Sequence, residues 1–256
     1  MIFLNNILTK FDPISLEEMD GVRLMNRTDT KFTFSINQFE EVLQTITNDY
    51  RILEIEGKRI SKYKTLYYDT EDLSLYHKHH NGQLNRHKIR HRTYIETGVG
   101  FLEVKLKNNK GRTIKNRIEI SSGMLGYENN FEEFLEKLLP FKPVNLQPAI
   151  WVMYERLTLV NKISPERLTI DLQLEFINGK KNKKLRNLVI AEVKQVNKKK
   201  SPFLSAMKNF HIREGSISKY CMGIALTNES VKKNNFKEKI NHITLLTNDN
   251  TASNRK

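Results

Sequence analysis

Charged residues recur at every second position in several strand-length runs, and this alternation constrains the chain more than any other feature of its sequence. Side chains on a strand point to opposite faces in turn. Arg86, Lys88, Arg90 and Arg92 therefore share one face of Arg86–Tyr94. In Gly100–Lys107, Glu103, Lys105 and Lys107 lie opposite Leu102, Val104 and Leu106. In Thr113–Ile120, Thr113, Lys115, Arg117 and Glu119 lie opposite Ile114, Ile118 and Ile120. Arg27, Asp29, Lys31 and Thr33 share a face of Asn26–Phe34. In Arg167–Phe176, Arg167, Thr169, Asp171, Gln173 and Glu175 lie opposite Leu168, Ile170, Leu172 and Leu174. Glu192 and Lys194 form the charged set of Asn187–Gln195. Tyr63–Asp69 and Trp151–Val160 also read as strands. About eight strands in one domain predict an α+β protein: a closed antiparallel barrel or strongly curled sheet, with helices outside.

Three helices interrupt the strands. Ser35 and Asn37 can cap one whose stripe is Ile36, Phe39, Val42, Leu43 and Ile46. Glu128–Leu139 carries Phe131, Phe134, Leu135, Leu138 and Leu139, and Pro140 ends it. Ser201-Pro202 opens the third, with proline in the first turn. Residues 1–25 form a lead-in with room for a short helix or turn over Phe11–Met25. Residues 26–227 form the folded domain. Residues 228–256, rich in Asn and Lys, predict a flexible polar tail with one short helix around Val231–Ile243.

Charge narrows the function. Between Arg86 and Glu119 there are ten Lys/Arg against three Asp/Glu, and the 256-residue chain has a formal net charge of +14. Such a chain meets polyanions. At 38% hydrophobic residues it is too apolar for a disordered polycation. A single cysteine, Cys221, excludes an internal disulfide and a cysteine zinc cage. No apolar run reaches the roughly 20 residues of a spanning helix, and the start, MIFLNNILTK, lacks the basic region of a signal peptide. The expected location is the cytoplasm. No Walker loop or Gly-rich dinucleotide turn is present. Two readings of the charged faces remain open at this point. They form the wet side of an ordinary antiparallel sheet, or they face inward and line a tunnel in which arginines grip phosphate and the sparse carboxylates hold a metal.

The motifs themselves are familiar. Asn26–Phe32 (NRTDTKF), Thr65–Thr70 (TLYYDT), Arg86–Tyr94 (RHKIRHRTY), Phe101–Lys107 (FLEVKLK) with Lys115-Asn116-Arg117, Tyr154–Leu159 (YERLTL), Arg167–Asp171 (RLTID), Ala191–Gln195 (AEVKQ) and Ser216–Tyr220 (SISKY) stand in the order of the VTC domain. The chain resembles this polyphosphate polymerase branch of the CYTH-like triphosphate tunnel metalloenzymes over about Ser15 to Leu226. The resemblance implies a closed barrel whose basic tunnel faces inward. It also implies a divalent cofactor, Mn²⁺ or Mg²⁺, and transfer of the γ-phosphate of ATP to a growing polyphosphate chain. By motif it assigns Lys31, Arg90, Arg92, Lys105, Lys115, Arg117, Arg156, Arg167 and Lys219 to the reacting phosphates. Ser218 holds a terminal phosphate in the same late loop, and Glu192 is the metal ligand. From the charged faces themselves, Arg27, Arg86, Lys88, Lys107 and Lys194 are further substrate contacts, and Glu103 and Asp171 further metal candidates. Glu192 and Lys194 share a face, so a structural ion pair is the competing reading of that carboxylate.

Hydrolytic tunnel enzymes usually open with E-x-E-x-K. Here Arg27-Thr28-Asp29-Thr30-Lys31 puts a base where the first carboxylate stands. This argues against the first alternative, a triphosphatase acting on inorganic triphosphate or nucleoside triphosphates. The other alternative is a non-catalytic module binding polyphosphate or nucleic acid. The alternating arginines come without an RNA-binding aromatic motif, which disfavours a specific nucleic-acid partner. The expected partners are ATP and inorganic polyphosphate. A membrane-protein partner is the expected route to the inner membrane surface. The oligomeric state is not fixed by the sequence.

Overall fold

The computed structural model describes residues 6–20, 27–120, 129–196 and 199–248. Parts of the expected lead-in and tail, Asn26 at the start of the first expected strand and Glu128 at the start of the second expected helix lie outside these. The strands in chain order are β1 (Asp12–Ile14), β2 (Thr28–Ser35), β3 (Tyr50–Leu53), β4 (Ser61–Asp69), β5 (Arg86–Tyr94) and β6 (Gly100–Lys107). They continue with β7 (Thr113–Glu119), β8 (Gln147–Asn161), β9 (Glu166–Asn178), β10 (Lys181–Leu185), β11 (Leu188–Gln195) and β12 (Glu214–Gly215). The helices are α1 (Leu16–Asp20), α2 (Ile36–Ile46), α3 (Ser74–His80), α4 (Asn129–Glu136), α5 (Pro202–Asn209), α6 (Lys219–Thr227) and α7 (Lys237–Asn248).

All twelve strands belong to one sheet, whose main path runs β12-β2-β11-β9-β8-β4-β5-β6-β7. Its ladders are antiparallel apart from the short β1–β3 pair. Among the described residues no ladder joins β7 to β12, so the expected closed barrel is not completed by hydrogen bonds between the ends. Instead the chain from β12 crosses the gap. Gly215 pairs with Lys31 on β2, and three residues later Lys88 on β5 donates to Ser218 Oγ at 3.0 Å.

The apolar faces form the convex side. Phe32, Phe34, Leu157, Leu168, Ile170, Ala191 and Val193 pack with Phe39, Val42, Leu43 and Ile46 of α2 and with Phe203 and Met207 of α5. Burying each such side chain contributes about 1.5–3 kcal/mol. Ser35 caps α2 by accepting from Asn37 N–H, and Ser201 caps α5 by accepting from Leu204 N–H. Leu66, Ile89, Leu102 and Val104 pack under Leu135 of α4 in a second convex cluster.

The concave side departs from the expectation that helices lie only outside. The alternation of β9 breaks at Gln173, which has φ +52°, near a register shift in the β8–β9 ladder between Met153 and Glu155. Such a bulge re-aims the side chains beyond it. Leu174 and Phe176 thereby join Ile150, Val152 and Tyr154, and α6 packs on this patch through Tyr220, Cys221, Ile224 and Ala225. Helix α6 thus occupies one end of the concave face and leaves the charged remainder uncovered. Residues 229–248, expected as a polar tail, bring Phe236 and Ile243 into the same cluster, where both are buried.

Candidate active site

Register places the charges. Glu192 on β11 stands opposite Lys31 on β2 and Thr169 on β9. Arg156 on β8 stands opposite Asp171, and Arg90 on β5 opposite Glu103 on β6, which in turn faces Arg117 on β7. Lys105 lies between Lys88 and Lys115, and Lys107 between Arg86 and Thr113.

Three ion clusters result. Arg90 Nε donates to Glu103 Oε2 at 2.5 Å, and Lys115 Nζ contacts Glu103 Oε1. Arg156 makes a two-pronged contact with Asp171, at 2.5 Å to Oδ1 and 2.8 Å to Oδ2, and Lys219 Nζ reaches Oδ2 as well. Lys31 Nζ meets Glu192 Oε1 at 2.7 Å and Lys194 Nζ meets Oε2 at 3.1 Å. The three carboxylates expected as metal ligands therefore do not converge, and each holds two cations. Among the described residues no three His, Cys, Asp or Glu form a group that could cage a metal. Burial would push each of these carboxyls up. The surrounding charges outweigh it and hold Glu103, Asp171 and Glu192 below the usual carboxylate range.

Mg²⁺ and Mn²⁺ suit one or two carboxylates supplemented by substrate phosphates rather than a protein cage. That demands a carboxylate with an open side. The Glu192 side chain is 19% exposed, against 1% for Glu103 and 4% for Asp171. Of the three, Glu192 alone fits such a shared site.

A cavity of about 470 Å³ opens over this face. Lys31, Arg86, Lys88, Lys105, Lys107 and Lys239 line it, together with Ser216, Ser218, His79 and Asn235, and among the described residues no carboxylate does. Sequence reading anticipated Lys31, Arg86, Lys88, Lys105, Lys107 and Ser218, and the curl of the sheet brings these six together. Among the described residues Arg86, Lys88, Lys105 and Lys107 have no ion-pair partner. The charge of Arg90, then burial and Arg92, hold the Lys105 ammonium well below the ordinary lysine range, and burial first of all lowers Lys88. An anion beside them would favour their charged forms.

The other expected residues lie beside or away from the cavity. Arg90, Arg92, Lys115, Arg156, Lys194 and Lys219 belong to the ion clusters or stack near them. The Arg92 guanidinium sits 5.4 Å from the Tyr63 ring and 6.0 Å from Tyr154. Arg117 is exposed on β7, 4.5 Å over the Phe101 ring. Arg167 donates to the Met19 carbonyl at 3.3 Å, tying β9 to α1. Exposed Arg27 donates to Asp29 at 3.1 Å. Of the histidines, His87 and His91 alternate out of phase with Arg86–Arg92 and fall on the convex side. Asp69, at the end of β4, accepts from the N–H groups of Leu75 and Tyr76 at 2.9 Å each and from the Tyr220 hydroxyl. It caps α3 and ties α3 to α6. Sequence reading missed Lys239 and Asn235, which carry no local signal.

The profile of the VTC domain family matches residues 26–228. The chain belongs to this family. Among solved structures it is similar to a protein described as a candidate adenylate cyclase from Bacillus halodurans, at 13% identity over 76% of this chain and 96% of that one, with a TM-score of 0.49. It is also similar to a candidate adenylyl cyclase from Hippeastrum described as having a dominant triphosphatase activity, at 11% identity over 80% and 98%, with a TM-score of 0.47. A third is the PH1012 protein of Pyrococcus horikoshii, at 10% identity over 75% and 95%, with a TM-score of 0.42. A comparison with curated proteins finds no match. Among the described residues no helix is long and apolar enough to cross a membrane.

Proposed function

We propose that this VTC-domain protein is a metal-dependent phosphotransferase that moves the γ-phosphate of ATP onto the end of a polyphosphate chain. The observation that carries the reading is the cavity whose wall, among the described residues, has six Lys and Arg and no carboxylate. A triphosphate carries about four negative charges, and phosphoryl transfer spreads charge over the equatorial oxygens. Lys31, Arg86, Lys88, Lys105, Lys107 and Ser218 would hold these oxygens directly. Arg90, Arg92, Lys115, Arg156 and Lys219 would add field from behind, each cluster being balanced by a buried carboxylate. Arg27, Arg117, Arg167 and Lys194 would contribute at longer range. A divalent ion, when bound, would neutralise phosphate charge and polarise the γ-phosphorus, and Glu192 would hold it.

A terminal oxygen of the polyphosphate chain attacks the γ-phosphorus. The bond from that phosphorus to the β–γ bridging oxygen breaks, and ADP leaves with the electron pair. The attacking oxygen is already ionised, so alignment by cations is what the step requires. The test is purified full chain with ATP and Mn²⁺ or Mg²⁺, followed on a gel stained for polyphosphate and by phosphate release. Growing chains support the reading. Free phosphate alone makes the protein a triphosphatase, and neither product makes it a binding module. Glu192→Gln is expected to abolish turnover while leaving the fold intact.

A further inference from the structure

Lys239 and His79, both outside the charged strand faces, reach the same cavity. Lys239 belongs to α7, beyond the end of the family match at residue 228. His79 belongs to α3, which no charge alternation predicts. Both are held in place by a common piece of structure. The turn Asn234–Phe236 docks on α3: Asn235 N–H donates to His80 Nε2 at 3.3 Å, its side-chain amide donates to the His80 carbonyl at 3.0 Å, and the Phe236 ring lies 5.1 Å from the His80 ring. That leaves the neighbouring His79 in the cavity wall, its ring centroid 6.2 Å from Phe236. Lys239, one turn further on, donates to Ser216 Oγ at 2.8 Å, on the segment that bridges the open side of the sheet.

We propose that the C-terminal segment 234–248 completes the wall of the basic cavity and there forms, from Lys239 and His79, an additional subsite for a phosphate group of the bound chain. The inference rests on the function proposed above and adds to the residues assigned there. His79 Nδ1 is buried without a hydrogen-bond partner. The cations whose charge acts on the ring are Lys88 and Arg86 from β5, Lys239 from α7 and Lys107 from β6, and among the described residues no carboxylate lines the cavity. Burial first, then these cations, lower the imidazole pKa to about 3, so the ring is neutral while the cavity lacks an anion. A phosphate chain reverses the sign of the local field. His79 then takes up a proton, and the imidazolium and the Lys239 ammonium hold the same phosphate.

The test is calorimetric titration of the full chain with tripolyphosphate at pH 6, in two buffers of different ionisation heat, for wild type, Lys239→Met and His79→Gln. Wild type is expected to take up protons on binding. His79→Gln loses that uptake. Lys239→Met weakens binding about tenfold, the effect of one lost charge-assisted hydrogen bond. The imidazole resonance of His79 in the wild-type protein, followed by NMR with and without tripolyphosphate, reads the same event without a substitution. Unchanged affinity in Lys239→Met together with a His79 ring that stays neutral in the complex overturns the subsite and leaves the phosphotransferase reading standing. Failure of the wild type to bind tripolyphosphate overturns both.

Discussion

Glu103 and Glu166 are both buried acids, yet their surroundings push them in opposite directions. Glu103 meets Arg90 and Lys115, and with Arg92 these charges hold it below the carboxylate range despite burial. A depressed acid stabilises the fold above its unfolded pKa, about 4.3 for glutamate, and loses that contribution as pH falls through the folded value. Glu103→Gln leaves the buried Arg90 without its counter-charge and beside Lys115. It is expected to cost about 3–5 kcal/mol in urea unfolding at pH 7, and a cost near zero would contradict the cluster's role. Glu166 lies on the other side of the sheet, where burial raises it although Tyr50 and Gln195 donate to it. A raised acid gives stability that is full below about pH 4.3 and fades as pH climbs through the folded value. The difference in Tm between Glu166→Gln and wild type should therefore move in favour of the variant from pH 5 to pH 8. An unchanged difference would contradict this.

At the scale of elements, the site depends on how closely α6 lies on the sheet. A Cβ at Gly223 would come within 2.6 Å of Phe176 Cδ1 and 2.8 Å of Ile150 Cδ1. Gly223→Ala should push α6 off β8 and β9, at about 1–3 kcal/mol of stability. It should also displace Ser218 and Lys219 and so weaken tripolyphosphate binding severalfold in titration calorimetry. Unchanged affinity would show that the position of α6 does not matter to the site. This helix was illegible in the sequence for a physical reason: it is buried nearly all round, so it has no polar stripe to set a 3.6-residue period. Helix α3 was illegible because its N-terminus is capped from a distance, by Asp69, while its own cap position, Leu73, offers no side-chain acceptor. Strand β10, KNKKL, is exposed over four of its five residues and has no apolar face to alternate. Seven of the eight main strands were readable because each has one face in a core; β7, with only Ile118 packed on the second convex cluster, was readable from its charge alternation alone. Even there, the break at Gln173 needed its neighbours to be seen.

For the molecule as a whole, the concave face gathers cations from β2, β5, β6 and the C-terminal helix into one wall. Which residues were charged was plain from the sequence; which acid meets which base depended on cross-strand register, and the contribution of residue 239 depended on the final packing. Anion affinity should fall steeply with added salt. It should also fall as pH rises through the depressed value of Lys105, below the ordinary lysine range near about 10.4. Lys105→Met should remove that part of the pH dependence, measured by tripolyphosphate titration across alkaline pH. An identical profile in wild type and variant would remove Lys105 from the binding site. The most direct test of the account is ³¹P NMR of the full chain turning over ATP with Mg²⁺. The account predicts that ADP and the internal-phosphate resonance of a growing chain rise together as the γ-phosphate signal falls. Orthophosphate as the sole phosphorus product beside ADP, or an ATP spectrum that does not change, would contradict it.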